Sequence, residues 1–239
     1  MPYRLPITHI ARGAMKLAVL PFLIICSFAA LEKPASDGWA SLFDGTTLDD
    51  WVQRGDAKPF RVEGGEIVAS GATNSFLCTT REYTDFELEV EFKIPDSLNS
   101  GIQIRSQCLE EATKIHWKEK DITIPAGRVH GYQIEIDPSK RAWTGGLYDE
   151  GRRAWLQNLE TNEPARKAFK QDDWNKLRIA CRGDSIKSWL NGVPAADAKD
   201  SLTRSGFIAL QVAHGKLGAG EIRFRNIRLK QLPTSPAAP

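Results

Sequence analysis

The sequence predicts an all-β protein, a two-sheet antiparallel sandwich of jelly-roll type. Three observations carry this expectation. Segment after segment alternates apolar and polar residues with period two, the spacing of a strand with one face buried. Turn dipeptides recur at short intervals between those segments. No convincing helix of ten residues can be found, and many short strands joined by hairpin turns pack best as two antiparallel sheets.

Each element can be justified in chain order. Asp44-Gly45 and Gly64-Gly65 punctuate the first strands, the second pair inside FRVEGGEIVASG. DFELEVEFKI is the clearest strand: Phe86, Leu88, Val90, Phe92 and Ile94 point to a core, while Glu87, Glu89, Glu91 and Lys93 point to solvent. GIQIRS repeats the period, with Ile102 and Ile104 on one side and Gln103 and Arg105 on the other. Residues 107–128, with HWKEKD at their middle, read as the longest irregular piece, and long loops in compact domains usually serve function. GYQIEID is a strand again. KLRIAC and GFIALQV follow the same pattern, and in WLNGVP the Asn191-Gly192 pair suits a two-residue hairpin turn. In EIRFRNIRLKQL the apolar phase slips between Phe224 and Ile227, which a bulge near Arg225-Asn226 would restore.

The ends read differently. Arg4, Arg12 and Lys16 precede the apolar run Leu17 to Phe28, and Ser27-Phe28-Ala29 offers small residues for cleavage, so residues 1–29 are expected to be a secretory signal peptide. That run is shorter than the roughly 20 residues of a spanning helix. No transmembrane span is therefore expected in the mature form, which would be periplasmic or secreted. Lipid anchoring at Cys26 is the weaker alternative, because Ile24-Ile25 lacks the small residue such sites carry. Residues 30–36 read as a linker, 37–232 as one β-sandwich domain, and 233–239 (PTSPAAP) as a disordered tail.

Charge and cysteine content narrow the function. The chain has 32 Lys and Arg against 30 Asp and Glu, and the leader holds three of the cations and no acids, so the remainder carries a net charge of −1. No basic stripe suggests nucleic acid or an anionic membrane. Cys78, Cys108 and Cys181 would survive cleavage; at most one disulfide can form among them, and Cys78 and Cys181 lie in apolar runs that suit small buried side chains. No CxxC pair suggests structural zinc.

The chemistry concentrates in GYQIEIDPSK. On a strand, Gln133, Glu135 and Asp137 share one face, and two carboxylates roughly 7 Å apart destabilise one another unless a cation, a ligand or a shifted pKa relieves them. Arg105, with Gln103 beside it, could supply the cation if its strand neighbours this one. A salt-bridged sheet surface would look the same from sequence. His214, after FIALQV, precedes a glycine-rich turn and could shuttle protons, or be a plain surface residue; His116 and His130 have less support. TGGLYDEGRRAWL packs Tyr148, Asp149, Glu150, Arg152, Arg153 and Trp155 beside a Gly-Gly pair, which suits either a polyhydroxylated ligand or a salt-bridged loop. Trp39, Trp51, Trp174 and Trp189 read as core or sheet-edge residues; Trp117, Trp143 and Trp155 are placed to stack on sugars.

The order GWASLFDGTTLDDWV, FRVEGGEIVASG, YTDFELEVEFKI, NSGIQIRS, GYQIEID, TGGLYDEGRR, WNKLRIACRGDSIKSWLNGVPAAD, GFIALQVAHG and EIRFRNIRLK resembles the 3-keto-disaccharide hydrolase family over roughly residues 37–232. The resemblance implies a concanavalin- or glucanase-like jelly roll, export from a glycan-degrading bacterium, and a glycoside substrate already oxidised to a ketone at C3. Such a ketone acidifies the C2 proton, so a base can form an enolate, expel the C1 group and let water add back. Glu135 or Asp137 would be the base, with Arg105, Gln103, Gln133, Tyr148 and Trp143 binding substrate and His214 donating a proton. A divalent metal such as Ca held by Glu135, Asp137 and His214 would also polarise the ketone. LQVAHG carries one residue more than the family's usual LQ-x-H-G. A non-catalytic carbohydrate-binding module of the same fold is the principal alternative, followed by an ordinary two-carboxylate glycosidase.

Overall fold

A computed structural model of the protein describes residues 37–55, 57, 59–70, 74–213 and 220–234. The signal peptide and linker expected over residues 1–36, the end of the tail at 235–239, and His214 lie outside these residues.

The strands follow in chain order: β1 (Ala40–Ser41), β2 (Trp51–Gly55), β3 (Phe60–Glu63), β4 (Glu66–Ser70), β5 (Ser75–Tyr83), β6 (Phe86–Lys93) and β7 (Asn99–Cys108). Next come β8 (Thr113–Trp117), β9 (Lys120–Ile124), β10 (Val129–Ile136), β11 (Leu147–Glu150) and β12 (Ala154–Gln157). After one short helix, α1 (Glu163–Lys167), the chain ends with β13 (Asn175–Arg182), β14 (Ser185–Leu190), β15 (Val193–Lys199), β16 (Gly206–Ala213) and β17 (Glu221–Gln231). One sheet runs β15-β14-β13-β6-β17-β4-β3, with β1 joined to β17; the other runs β12-β11-β10-β7-β16-β5-β2. All pairings are antiparallel. This is the expected two-sheet sandwich.

The apolar alternation decides which face turns inward. Phe86, Leu88, Val90 and Phe92 from β6 meet Ile102 and Ile104 from β7, Ile134 and Ile136 from β10, and Leu210 and Val212 from β16 in one buried cluster. Burying each such side chain contributes about 1.5–3 kcal/mol. In β17 the expected bulge is present: the register shifts between Arg225 and Arg228, and Asn226 takes φ 50°. The slip returns Ile227 and Leu229 to the core. Asn191 (φ 51°) and Gly192 (φ 85°) both adopt the left-handed backbone that a type I′ turn requires, joining β14 to β15.

Two expectations need correction. Part of the segment expected to be irregular forms the hairpin β8–β9, in which Lys118 takes the turn at φ 55°. Its alternation is weakly apolar, which hid it. The outer face of β6 is also not simply wet, for Glu89 is buried beneath Lys176 and Arg228. There Trp39, Trp174 and Trp189 stack on Arg228, Arg225 and Arg178 rather than entering the core, whereas Trp51 is buried.

The two sheets are laced together at both flanks. On one, Gln157 Oε1 of edge strand β12 accepts from Asp197 N of edge strand β15 at 3.0 Å. On the other, the Gln53 side chain of β2 donates to Phe60 O of β3 at 3.0 Å and accepts from Phe60 N at 3.1 Å. Cys78, Cys108 and Cys181 are free thiols. Among the described residues no helix is long and apolar enough to cross a membrane.

Candidate active site

Strand β10 lies between β7 and β11, and its register places the polar residues in lanes across the outer face. Gln133 is opposite Gln103 on one side and Tyr148 on the other. One step along, Glu135 is opposite Gly101, which is opposite Gln211 of β16. Ile134 and Ile136 go to the core between the sheets, so the same alternation that builds the sandwich presents the amides and the acid outward.

These side chains form a directed chain of hydrogen bonds ending on one carboxylate. Ser106 Oγ donates to Gln103 Oε1 at 2.8 Å, and Gln103 Nε2 donates to Gln133 Oε1. Gln133 Nε2 then donates to Glu135 Oε2 at 2.7 Å, while Asn99 Nδ2 donates to Glu135 Oε1 at 2.9 Å. Gly101 makes this possible. A Cβ there would stand 2.4–2.7 Å from the Gln133 Cγ, Cδ and Nε2 atoms, so only glycine lets the amide lie across β7.

The two carboxylates are driven apart in acidity. Burial raises the Glu135 pKa, and the Asp137 charge adds to the rise, against the opposing hydrogen bonds of Asn99 and Gln133. Burial also acts to raise Asp137, but hydrogen bonds from Ser139 and Arg141 outweigh it and hold that carboxyl below its ordinary value. Arg141 Nε donates to Asp137 Oδ2 at 2.7 Å, and Arg141 Nη2 is 4.0 Å from Glu135 Oε1. One carboxyl is thus pushed toward its charged form and the other toward its neutral form, a division that environment alone can impose.

Arg141, and not Arg105, is the cation beside the acid pair. Its guanidinium carbon lies 4.6 Å from the Trp143 ring and 5.3 Å from the Trp155 ring. Trp155 meets Trp143 edge-on at 4.9 Å and Tyr148 at 5.2 Å. Tyr148, Trp143, Trp155 and Arg141 are all partly exposed beside the buried acids, a wall on which a sugar ring can stack. On the other side, Gln211 Nε2 donates to Asn74 Oδ1 at 2.9 Å, whereas its buried Oε1 has no partner among the described residues.

Arg105 does not share this face. It takes φ 48° in a bulge where β7 and β10 lose register between His130 and Tyr132. Its fully buried guanidinium pairs with Asp85 at 2.9 Å and donates to Thr84 O at 2.6 Å and Gly183 O at 2.8 Å. It ties the β5–β6 and β13–β14 turns together and contacts neither Glu135 nor Asp137.

The other candidates are also placed. Asp149, Arg152 and Arg153 form a buried network with Asp200 and Tyr132, so the motif they share with Tyr148 is part salt bridge and part site wall. Trp117 stacks on Arg153 at 4.7 Å. His130 is buried and its Nδ1 donates to Arg128 O at 3.0 Å; His116 is exposed and pairs with Asp121 at 2.9 Å. Sequence reasoning missed Asn99, Arg141 and Gln211. Arg141 had one local signal, its position four residues after Asp137 in DPSKR.

Among the described residues no three His, Cys, Asp or Glu converge as a metal site. Glu135 and Asp137 both accept N–H groups, and Arg141 already supplies positive charge between them. A divalent ion held by this pair would have to displace the guanidinium, so the fit is poor.

The jelly-roll fold and its acid-, amide- and indole-lined face define a carbohydrate-type β-sandwich domain. The chain belongs to the family of 3-keto-alpha-glucoside-1,2-lyase-like domains, whose profile matches residues 38–230. No curated protein sequence matches. Among solved structures, it is similar to a Parabacteroides distasonis ATCC 8503 protein provisionally named a glycosyl hydrolase, at TM-score 0.54 and 17% identity over 82% of this chain and 95% of that one. It is also similar to the carbohydrate-binding module CBM66 of Bacillus subtilis, at TM-score 0.50 and 15% identity over 81% and 96%. A Bacillus subtilis protein of unknown function with a galectin-like fold gives TM-score 0.54 and 11% identity over 79% and 92%. At these identities the likenesses establish the fold.

Proposed function

We propose that the protein is an exported enzyme that cleaves 3-keto-glycosides, with Glu135 as the base at C2. The carrying observation is the separation of the two acids, one raised by burial and one lowered by hydrogen bonds from Ser139 and Arg141. Glu135, as carboxylate, takes the C2 proton; the electron pair enters the C3 carbonyl as an enolate. The enolate re-forms the ketone and expels the C1 oxygen, giving a C1–C2 double bond. Water then adds across that bond, its oxygen at C1 and a proton at C2, and the net change is hydrolysis.

Each need of this route can be assigned a side chain. Arg141 supplies positive charge for an enolate oxygen, and Gln133 and Asn99 fix the Glu135 carboxylate. Trp143, Trp155 and Tyr148 form the stacking wall. We assign the leaving-group proton to His214, which follows β16 directly in the sequence. The family's description, a 3-keto-alpha-glucoside-1,2-lyase-like domain, is in keeping with the elimination half of this route.

The test compares a 3-keto-glycoside with its unoxidised parent, using the wild type and Glu135→Gln. Turnover of the keto form alone, lost about 10²–10⁴-fold in the variant, is the expected result. The indole wall also favours a second reading, a binding module without chemistry; saturable binding of both sugars with no turnover would establish that instead.

A further inference from the structure

A cleft opens on the opposite sheet. It has a volume of about 430 Å³, within the usual range for small-ligand sites of about 300–1,000 Å³. Glu89 and Glu91 of β6, Lys176 of β13, and Asn226 and Arg228 of β17 line it, with Trp39 at its rim. Two local features make this hollow in what would otherwise be a flat sheet. The β17 bulge leaves Asn226 unpaired with β6 and exposed, and the pairing of Ala40 with Leu229 brings Trp39 alongside β17.

The cleft's polar groups are half committed. Lys176 Nζ lies 2.7 Å from Glu89 Oε2, and Arg228 Nη2 approaches the same oxygen at 2.5 Å. Arg225 Nε takes Glu91 Oε2 at 2.8 Å. In both acids every cation lands on Oε2, and Oε1 has no partner among the described residues. Two carboxylate oxygens on next-nearest residues of one strand face, fixed by their cations, are thus left as acceptors. Arg228 also sits 4.9 Å from the Trp39 ring centroid and holds the indole in place.

Charge decides the class of ligand. Asp37, Glu89 and Glu91 are balanced by Lys176, Arg228 and the Arg225 paired with Glu91. A balanced cleft selects neither an anion nor a metal ion. Its free acceptors want hydroxyl donors, its amide can give and take, and its indole offers an apolar face to C–H groups. We propose that this cleft is a second carbohydrate site, binding a neutral, unoxidised sugar residue. It lies on the opposite sheet from Glu135 and does not depend on the chemistry assigned there.

Isotope-labelled full-length chain, titrated separately with maltose, cellobiose and sucrose, provides the test by NMR. At least one sugar should shift the Trp39 indole N–H and the Glu89 and Glu91 amides, and do so equally in Glu135→Gln. Glu91→Gln, which keeps the side-chain shape, should weaken that binding about tenfold, as expected for a lost hydrogen bond to a charged acceptor. Trp39→Ala should abolish it. Shifts confined to β10 and β11, no shift with any of the three sugars, or equal shifts with inorganic phosphate would each overturn the proposal.

Discussion

Gln133 donates to Glu135 at 2.7 Å from two residues away on the same strand. Neighbours at that spacing share a face but ordinarily stand parallel and apart. Here the glutamine leans along the strand because Gly101 leaves room beneath it. Gly101→Ala should therefore push the amide off Glu135. We expect a loss of about 1–3 kcal/mol in stability from overpacking, together with a larger proportional fall in kcat than in substrate affinity. Chemical denaturation and steady-state kinetics with a 3-keto-glycoside read the two effects separately.

The acid pair makes opposite predictions for two neutralising changes. A base must be ionised, so activity should rise with pH through the Glu135 pKa, on a limb lying above the ordinary glutamate value of 4.5. The Asp137 charge raises that pKa and the Arg141 charge lowers it. Asp137→Asn should accordingly move the acid limb of kcat/KM to lower pH, and Arg141→Gln should move it to higher pH. Shifts of the same sign in both variants would show that Glu135 is not the titrating group.

Arg105 is expected to matter for folding and not for chemistry. Arg105→Met leaves Asp85 buried without its cation and should cost about 3–5 kcal/mol, the usual penalty for breaking a buried pair. Turnover per folded molecule should stay near wild type. Thermal unfolding beside active-site-normalised rates checks both halves of the expectation.

The indole wall should govern binding. Trp143→Ala or Trp155→Ala is expected to raise KM about two- to tenfold, the range of a lost aromatic stack. The limiting rate should change much less. A fall in kcat with unchanged KM would place the sugar elsewhere on the sheet.

What could be read from the sequence follows from period and distance. Strict alternation exposed the core of β6 and the outward row of Gln133 and Glu135, and the slipped phase in EIRFRNIRLKQL located the β17 bulge. The same logic misplaced Arg105, because a second bulge, opposite Gly131, turns it away from Gln103. Nothing in the alternation of GIQIRS marks that break. Asn99 and Arg141 reach the acids, and Gln211 joins their sheet face, through turns and cross-strand register. Those relations join residues 30 or more positions apart, as Asn99 and Glu135 are, or lie in a turn whose path only the fold defines.

The glutamine laces at the two flanks have a consequence for the protein in concentrated solution. An outermost strand with free N–H and C=O groups is a template on which another copy can add. Gln53 occupies both backbone groups of Phe60, and Gln157 occupies the N–H of Asp197. Each side chain thus takes a position where an incoming chain would seek to dock, and guards this strand-rich protein against sheet-to-sheet polymerisation.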